Sequence, residues 1–169
     1  MNKDEFSTVE GFRGRLENAA KYSEIWEVVK DTVKFTLNKY RRGMMLFLDD
    51  LPIRLGAYHT LGTNNIVLNR TLVQMVEGAI KSKRVVNALI YNLLVHEYLH
   101  ALGLVSEIRV RQLVYEIAEE CFGENHIAAL IAKKSPWALL KEIPLKTVNP
   151  PKRIMEIVKD FEKADKYIV

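Results

Sequence analysis

The stretch LLVHEYLHALGL contains two of the chain's four histidines, His96 and His100, with Glu97 directly after the first. On an α-helix, residues four apart lie on one face with Cβ atoms about 5–6 Å apart, so both imidazoles can reach one point. Zinc binds imidazole nitrogen, and a catalytic zinc site has three protein ligands with water in the fourth position. The spacing predicts a site for one Zn²⁺ ion, with Glu97 as the general base that takes a proton from that water.

The sequence around this motif favours a metal over a pair of structural histidines. Residues 85–102 are apolar nearly all round, which is typical of a helix buried on several sides. Polar side chains in such a helix are costly unless a partner satisfies them, and a metal ion would be such a partner.

The third metal ligand is expected just beyond this helix. Gly103 is suited to end it, and Ser106 is a candidate N-cap for a second helix that begins at Glu107. Because the connection GLVS is so short, the two helices should form a hairpin and pack together. Glu107 can then approach His100, and we predict that it completes the site. The competing carboxylates are Glu116, Glu119 and Glu120, further along the second helix.

The pattern H-E-x-x-H-x-x-G-x-x-x-E resembles the zincin metallopeptidases, in particular the gluzincins and the small zincin-like proteins of bacteria and archaea. The resemblance covers about residues 44–123, and H-E-x-x-H is its specific part. It implies a zinc-dependent peptidase that hydrolyses peptide bonds. In thermolysin-like gluzincins the third ligand lies further past the second histidine, which makes Glu120 the alternative to Glu107. The segment EIRVR resembles the gluzincin E-x-x-A-D, but Val110 and Arg111 replace its last two residues.

The elements before the motif predict the sheet that positions it. A long amphipathic helix is expected over residues 16–40, then a buried strand over 44–49. Two β-prone segments, 57–60 and 66–68, flank the turn-rich LGTNN and predict a hairpin. We therefore expect an α+β, zincin-like fold with a small mixed or antiparallel sheet whose hairpin edge packs on the active-site helix, and a helix-rich C-terminal half.

Several aromatic or imidazole side chains are candidates for contact with substrate. In zincins an edge strand binds extended substrate by adding it to the sheet, and the hairpin here carries Tyr58 and His59. Tyr115 lies near the expected site and, like those two, could stabilise an oxyanion. Tyr98 points elsewhere on the helix and is expected in the core, and His126 is expected at the surface or in a helix cap.

The chain is expected to have one metal-binding domain, residues 1–143, followed by a proline-containing linker and a final helix over 144–169. This C-terminal segment is a candidate arm or lid within the same folding unit, and it could keep the site inactive by folding over the cleft.

Composition narrows the function classes. The net charge is +4, the basic residues are scattered among acids, and the single Cys121 excludes an internal disulfide. The N-terminus lacks an apolar signal core and no stretch is apolar enough for a membrane span, so we expect a cytoplasmic protein. The resemblance to zincins implies a peptide or protein substrate. Oligomeric state is not predicted. Two alternatives stay open: a metal-dependent RNase or other RNA-processing hydrolase, and a non-catalytic zinc-binding interaction protein.

Overall fold

The computed structural model describes residues 8–141, 143 and 152–162. In chain order the elements are α1 (Val9–Asn18), α2 (Tyr22–Leu37), β1 (Met45–Asp49), β2 (Ala57–His59), β3 (Asn65–Asn69), α3 (Arg70–Ile80), α4 (Lys83–Ala101), α5 (Glu107–Phe122), α6 (Ile127–Lys134), α7 (Trp137–Leu140) and β4 (Glu156–Ile157).

The four strands form one small mixed sheet in the order β2-β3-β1-β4. β1 and β3 are parallel, whereas β2 pairs antiparallel with β3 and β4 pairs antiparallel with β1. The hairpin of β2 and β3 therefore places β2 at one edge of the sheet and leaves β4 at the other. This confirms the α+β class and the small mixed sheet with a hairpin edge.

α4 is the central helix of the molecule. It packs against β2 and β3 on one side and against α1, α2, α3, α5 and α6 on the others. Its side chains Tyr91, Leu94, Tyr98 and Leu99 are fully buried. Because each buried Leu alone contributes roughly 1.5–3 kcal/mol, this packing fixes the position of the helix that carries the histidines. None of the described helices combines the length and apolar character needed to cross a membrane.

Most element boundaries follow the sequence prediction. The strand, the hairpin and the helices on either side of Gly103 are confirmed to within a few residues. Ser106 caps α5, since its hydroxyl accepts a hydrogen bond from the backbone N–H of Arg109. Gly123 ends α5, and the helical region is interrupted before Pro136 as expected.

The prediction of one helix over residues 16–40 is wrong, because the chain leaves the helix at Ala19 and starts α2 at Tyr22. The cause is a long-range contact. The Asn87 side chain on α4 donates hydrogen bonds to the carbonyls of Leu16 and Ala19, each at 2.9 Å. These bonds satisfy carbonyls that the helix would otherwise have used internally.

The prediction of a C-terminal helix is wrong for residues 152–162, which contain the short strand β4. The backbone N–H of Val158 donates to the carbonyl of Leu46 in β1 at 2.9 Å. This segment lies at the opposite sheet edge from β2, so it is not a lid over the hairpin edge. Residues 144–151, which include the predicted linker, and residues 163–169 lie outside the described residues, and the division at 143/144 stays a prediction.

Candidate metal centre

α4 presents His96 and His100 side by side. Their ring centroids are 5.0 Å apart and the ring planes meet at 67°. Both side chains are largely buried, with exposed fractions of 23% and 15%. The helix stops one residue later at Ala101, and Gly103 follows with a φ of +100°, a conformation that glycine adopts without steric cost.

The turn after α4 orients one histidine and supplies a carboxylate. Nδ1 of His100 lies 2.7 Å from the carbonyl oxygen of Leu104. A carbonyl only accepts, so Nδ1 carries the proton and Nε2 is left as a bare nitrogen with a lone pair. Two residues beyond Leu104, the Ser106 cap starts α5 and brings Glu107 back over the histidines.

The histidines and Glu107 converge on one point. Nε2 of His96 lies 3.1 Å from Oε2 of Glu107, and Nε2 of His100 lies 2.7 Å from Oε1. The ligand atoms of all three residues lie within 4.8 Å of one another. The structure thus brings Glu107 to the histidines as expected. Glu120, the alternative, is an exposed residue near the far end of α5 and is not part of this group.

The donor set fits a divalent metal ion. Although Glu107 is close, Nε2 of His100 is buried and makes no hydrogen bond to any residue that the structure describes. Burial lowers the pKa of His96, against the opposing effect of Glu107, so its imidazole is neutral and able to bind a metal at neutral pH. Two imidazole nitrogens and one carboxylate are the ligand set of catalytic zinc sites such as His₂Glu.

Glu97 lies beside this group but faces the sheet edge. This residue is 9% exposed, and its carboxyl group lies near the backbone N–H of His59 in β2, which lowers its pKa. Burial and the nearby charge of Glu107 outweigh this effect and raise the pKa of Glu97 to about 8. A carboxyl group with so high a pKa can take up and release a proton near neutral pH.

The pairing of β2 with β3 shows which way the β2 backbone faces. The backbone N–H of Asn69 donates to the carbonyl of Gly56, so residues 56 and 58 point their backbone groups toward β3. Ala57 and His59 therefore point theirs to the outer edge of β2, which pairs with no other strand in the part of the chain that the structure describes, and Glu97 lies near this edge. A strand added to this edge would pass directly in front of Glu97.

A cavity of about 600 Å³ opens next to Glu97 and Glu107. Its walls come from the loop before β2, from α4, from α5 and from the α6–α7 connection. The lining residues most relevant to ligand chemistry are Arg54, Ala57, Leu93, Arg111, Val114, Tyr115, Lys133, Lys134 and Trp137.

The three predicted substrate contacts differ in position. Tyr115 lines the cavity, and Glu119, one turn further along α5, lies near enough to raise the pKa of its hydroxyl group. Tyr58 and His59 lie on the edge strand and do not line the cavity. The ring of His59 is held by its contact with the carbonyl of Asn65, at 3.0 Å from Nδ1, so it is the backbone of this residue that faces the site.

The residues expected to be structural are structural. Tyr98 is fully buried, and its hydroxyl bonds to the backbone of Arg41. His126 caps α6 and is buried against Glu17, so it is a capping residue and not a surface one. Burial raises the pKa of the Cys121 thiol to about 12, consistent with a packed apolar role.

Sequence reasoning missed the basic side chains of the cavity, which are Arg54, Arg111, Lys133 and Lys134. Only Arg111 carried a signal, because it lies four residues after Glu107 and therefore on the same face of α5. The others reach the cavity through loops and a third helix, which local spacing does not reveal.

Comparisons of the chain with family models, curated proteins and solved structures give no match. The chemistry of the triad, of Glu97 and of the adjoining cavity is the basis on which a function can be assigned.

Proposed function

We propose that this protein is a zinc-dependent peptidase. One observation carries the proposal: His96, His100 and Glu107 place their ligand atoms within 4.8 Å of one another, beside the buried carboxylate of Glu97. A cavity and the free edge of a sheet adjoin this group, so a substrate has a place to bind.

His96, His100 and Glu107 would hold the zinc ion. When bound, the ion supplies Lewis acidity, which polarises a substrate carbonyl and lowers the pKa of water. The hydrogen bond from His100 to the Leu104 carbonyl fixes the tautomer of this ligand, which is the usual outer-shell support of a metal-binding histidine.

Glu97 would move the protons of the reaction. It accepts one proton from the attacking water as the water oxygen bonds to the carbonyl carbon. It then returns that proton to the amide nitrogen as the C–N bond breaks, so that a carboxylic acid and an amine are released. The reaction starts from the deprotonated carboxylate of Glu97. A positive charge nearby favours this form, because a cation lowers the pKa of a neighbouring carboxyl group.

The free edge of β2 would bind the substrate backbone. Ala57 and His59 point backbone groups to this edge, and an extended peptide offers the alternating N–H and C=O groups that pair with them. Pairing at this edge positions a peptide bond near Glu97.

The test is the variant Glu97→Gln. It keeps the shape of the side chain and removes its basicity, so zinc content should stay at one ion per chain while cleavage of casein or a peptide library falls by at least about a hundredfold. Glu116→Gln, which changes an exposed glutamate on α5, is the matched control and should keep both properties. Full activity in zinc-loaded Glu97→Gln would refute the mechanism.

A metal-dependent RNA hydrolase is the second candidate, because four basic side chains surround the cavity. Glu97 and the free strand edge favour the peptidase. Cleavage of RNA by the zinc-loaded protein, with no cleavage of casein or peptides, would reverse this order.

A further inference from the structure

We propose that the cavity beside the metal centre selects a peptide segment that carries a carboxylate close to the bond that is cut. This inference rests on the proposed peptidase function and names its substrate class. The carboxylate can belong to an Asp or Glu side chain or to the C-terminus of the substrate.

The basic side chains of the cavity come from three separate parts of the fold. Arg54 lies in the loop between β1 and β2, Arg111 lies on α5, and Lys133 and Lys134 end α6. A row of charges on one helix is usually a solvated face, but basic residues that line one concavity from three elements give it a local positive potential.

These four side chains have no acidic partner. Elsewhere, Arg15, Arg70, Arg84 and Arg153 each form a salt bridge with an Asp or Glu. Arg54, Arg111, Lys133 and Lys134 form none with any acid among residues 8–141, 143 and 152–162. They are therefore free to pair with a bound anion.

The acids that line the cavity do not cancel this charge. Within the described part of the chain they are Glu97 and Glu107, which the proposed function assigns to the proton transfers and to the metal. With a divalent ion bound at Glu107, the surroundings of a substrate are strongly positive.

The shape of the cavity favours a peptide over a nucleic acid. Leu93, Val114 and Trp137 form apolar wall, which suits the aliphatic stem of a Glu side chain with its carboxylate at the basic groups. Ala57 both lines the cavity and points its backbone to the free edge of β2. A peptide paired with that edge would direct a side chain into the cavity, whereas RNA has no backbone that pairs with a strand.

Binding can be measured without cleavage in zinc-loaded Glu97→Gln protein. The probes are dodecapeptides of alternating Ala and Ser, blocked at both ends, with a central Glu, Gln or Lys. A fourth peptide lacks the charged centre and has a free C-terminal carboxylate, and a U₁₂ RNA is the fifth probe. Calorimetry gives the affinity. Tryptophan emission reports occupancy through Trp137, because the other tryptophan, Trp26, is fully buried in the core.

We expect the Glu peptide, the free-carboxylate peptide or both to bind about tenfold more tightly than the Gln peptide, and the Lys peptide to bind least. The double variant Lys133→Gln/Lys134→Gln should reduce this preference severalfold. Lys21→Gln/Lys39→Gln removes the same charge from exposed positions that do not line the cavity and should leave the preference unchanged. Tighter binding of the Glu peptide would identify a side-chain carboxylate as the preferred group, and tighter binding of the free-carboxylate peptide would identify the C-terminus.

Equal binding of the Glu, Gln and free-carboxylate peptides would overturn the inference, even if the wild-type protein cleaves peptides. Tighter binding of U₁₂ than of every peptide would overturn it in favour of a nucleic acid. A clear carboxylate preference in a protein that cleaves no peptide would support the cavity assignment while the proposed peptidase function fails.

Discussion

At the scale of single residues, the candidate metal centre is arranged in part by a hydrogen bond of the protein itself. His100 commits its Nδ1–H to the Leu104 carbonyl and turns a bare Nε2 toward Glu107. Burial keeps the neighbouring His96 neutral. The His100 ring is thus held in the tautomer and orientation that a metal requires, and His96 offers a second, neutral imidazole.

Removal of the Glu107 carboxylate should weaken zinc binding by at least about tenfold, because one of three ligands is lost. We predict this for Glu107→Gln in a competition titration with a chromogenic chelator. Glu120→Gln changes an exposed glutamate on the same helix and should leave zinc affinity at the wild-type value. The opposite ranking of these two variants would show that Glu120, and not Glu107, is the ligand.

The sequence predicts the residues of the candidate metal centre but not the lysines of the cavity, because only the former are set by local spacing along the chain. His96, Glu97 and His100 follow from helical spacing, and Glu107 follows from the shortness of the GLVS turn. Lys133 and Lys134 could not be predicted, because a lysine at the end of a helix is ordinary and only the tertiary fold places these two at the cavity.

At the scale of elements, the loop before β2 depends on one buried asparagine. The Asn69 side-chain amide donates to the carbonyls of Leu51, Pro52 and Leu55 at 2.9–3.2 Å. Its oxygen accepts from the backbone N–H groups of Leu51 and Leu72, the second of which caps α3. This residue therefore fixes the start of the edge strand and the wall of the cavity.

Asn69→Ala should lower the free energy of unfolding by about 3 kcal/mol, because it leaves several buried backbone groups without partners. Urea unfolding followed by circular dichroism measures this loss. Asn18→Ala, which removes an exposed asparagine that bonds only to Gly14 of its own helix, should cost less than about 1 kcal/mol. Equal losses in the two variants would show that Asn69 does not organise the loop.

Element boundaries were predictable where local chemistry sets them and not where a distant partner does. Gly103 and Ser106 mark the turn by their own preferences. By contrast, α1 ends where the side chain of Asn87 on α4 donates hydrogen bonds to the last carbonyls of the helix. Similarly, β4 forms because its backbone pairs with the edge of β1. No residue near Ala19 or Glu156 signals either event in the sequence.

At the scale of the whole molecule, the two edges of the sheet have different roles. Among the described residues no strand pairs with the outer edge of β2, which lies near Glu97, whereas the β1 edge is covered by β4. Asp50 holds this covering segment: it accepts hydrogen bonds from Arg153, from Arg70 and from Thr71. These bonds join the segment that carries Arg153 to α3.

Acid should weaken the contact between Asp50 and the arginines that bind it. The hydrogen bonds from Arg153 and Arg70 hold the pKa of Asp50 well below its ordinary value of 3.8. A carboxyl group with a lowered pKa in the folded state stabilises the fold above its ordinary pKa, and this contribution is lost as the pH falls below about 4. Asp50→Asn should therefore lower the urea midpoint at pH 7, and its difference from the wild type should shrink toward pH 2.

Asp31→Asn is the matched control, because Asp31 also pairs with an arginine, Arg15, but its side chain is 44% exposed. An exposed pair contributes little, so this variant should differ only slightly from the wild type at either pH. A constant difference between Asp50→Asn and the wild type from pH 7 to pH 2 would contradict the assigned role of Asp50.

The most direct test of the metal centre is the zinc stoichiometry of the chain after removal of its paired imidazoles. We predict one tightly bound Zn²⁺ per wild-type chain by calorimetry and elemental analysis, and none in the double variant His96→Ala/His100→Ala. His59→Ala removes the ring that bonds to Asn65 and should still bind one ion. A double variant that retains one tightly bound zinc would contradict the account, because the metal would then be held elsewhere.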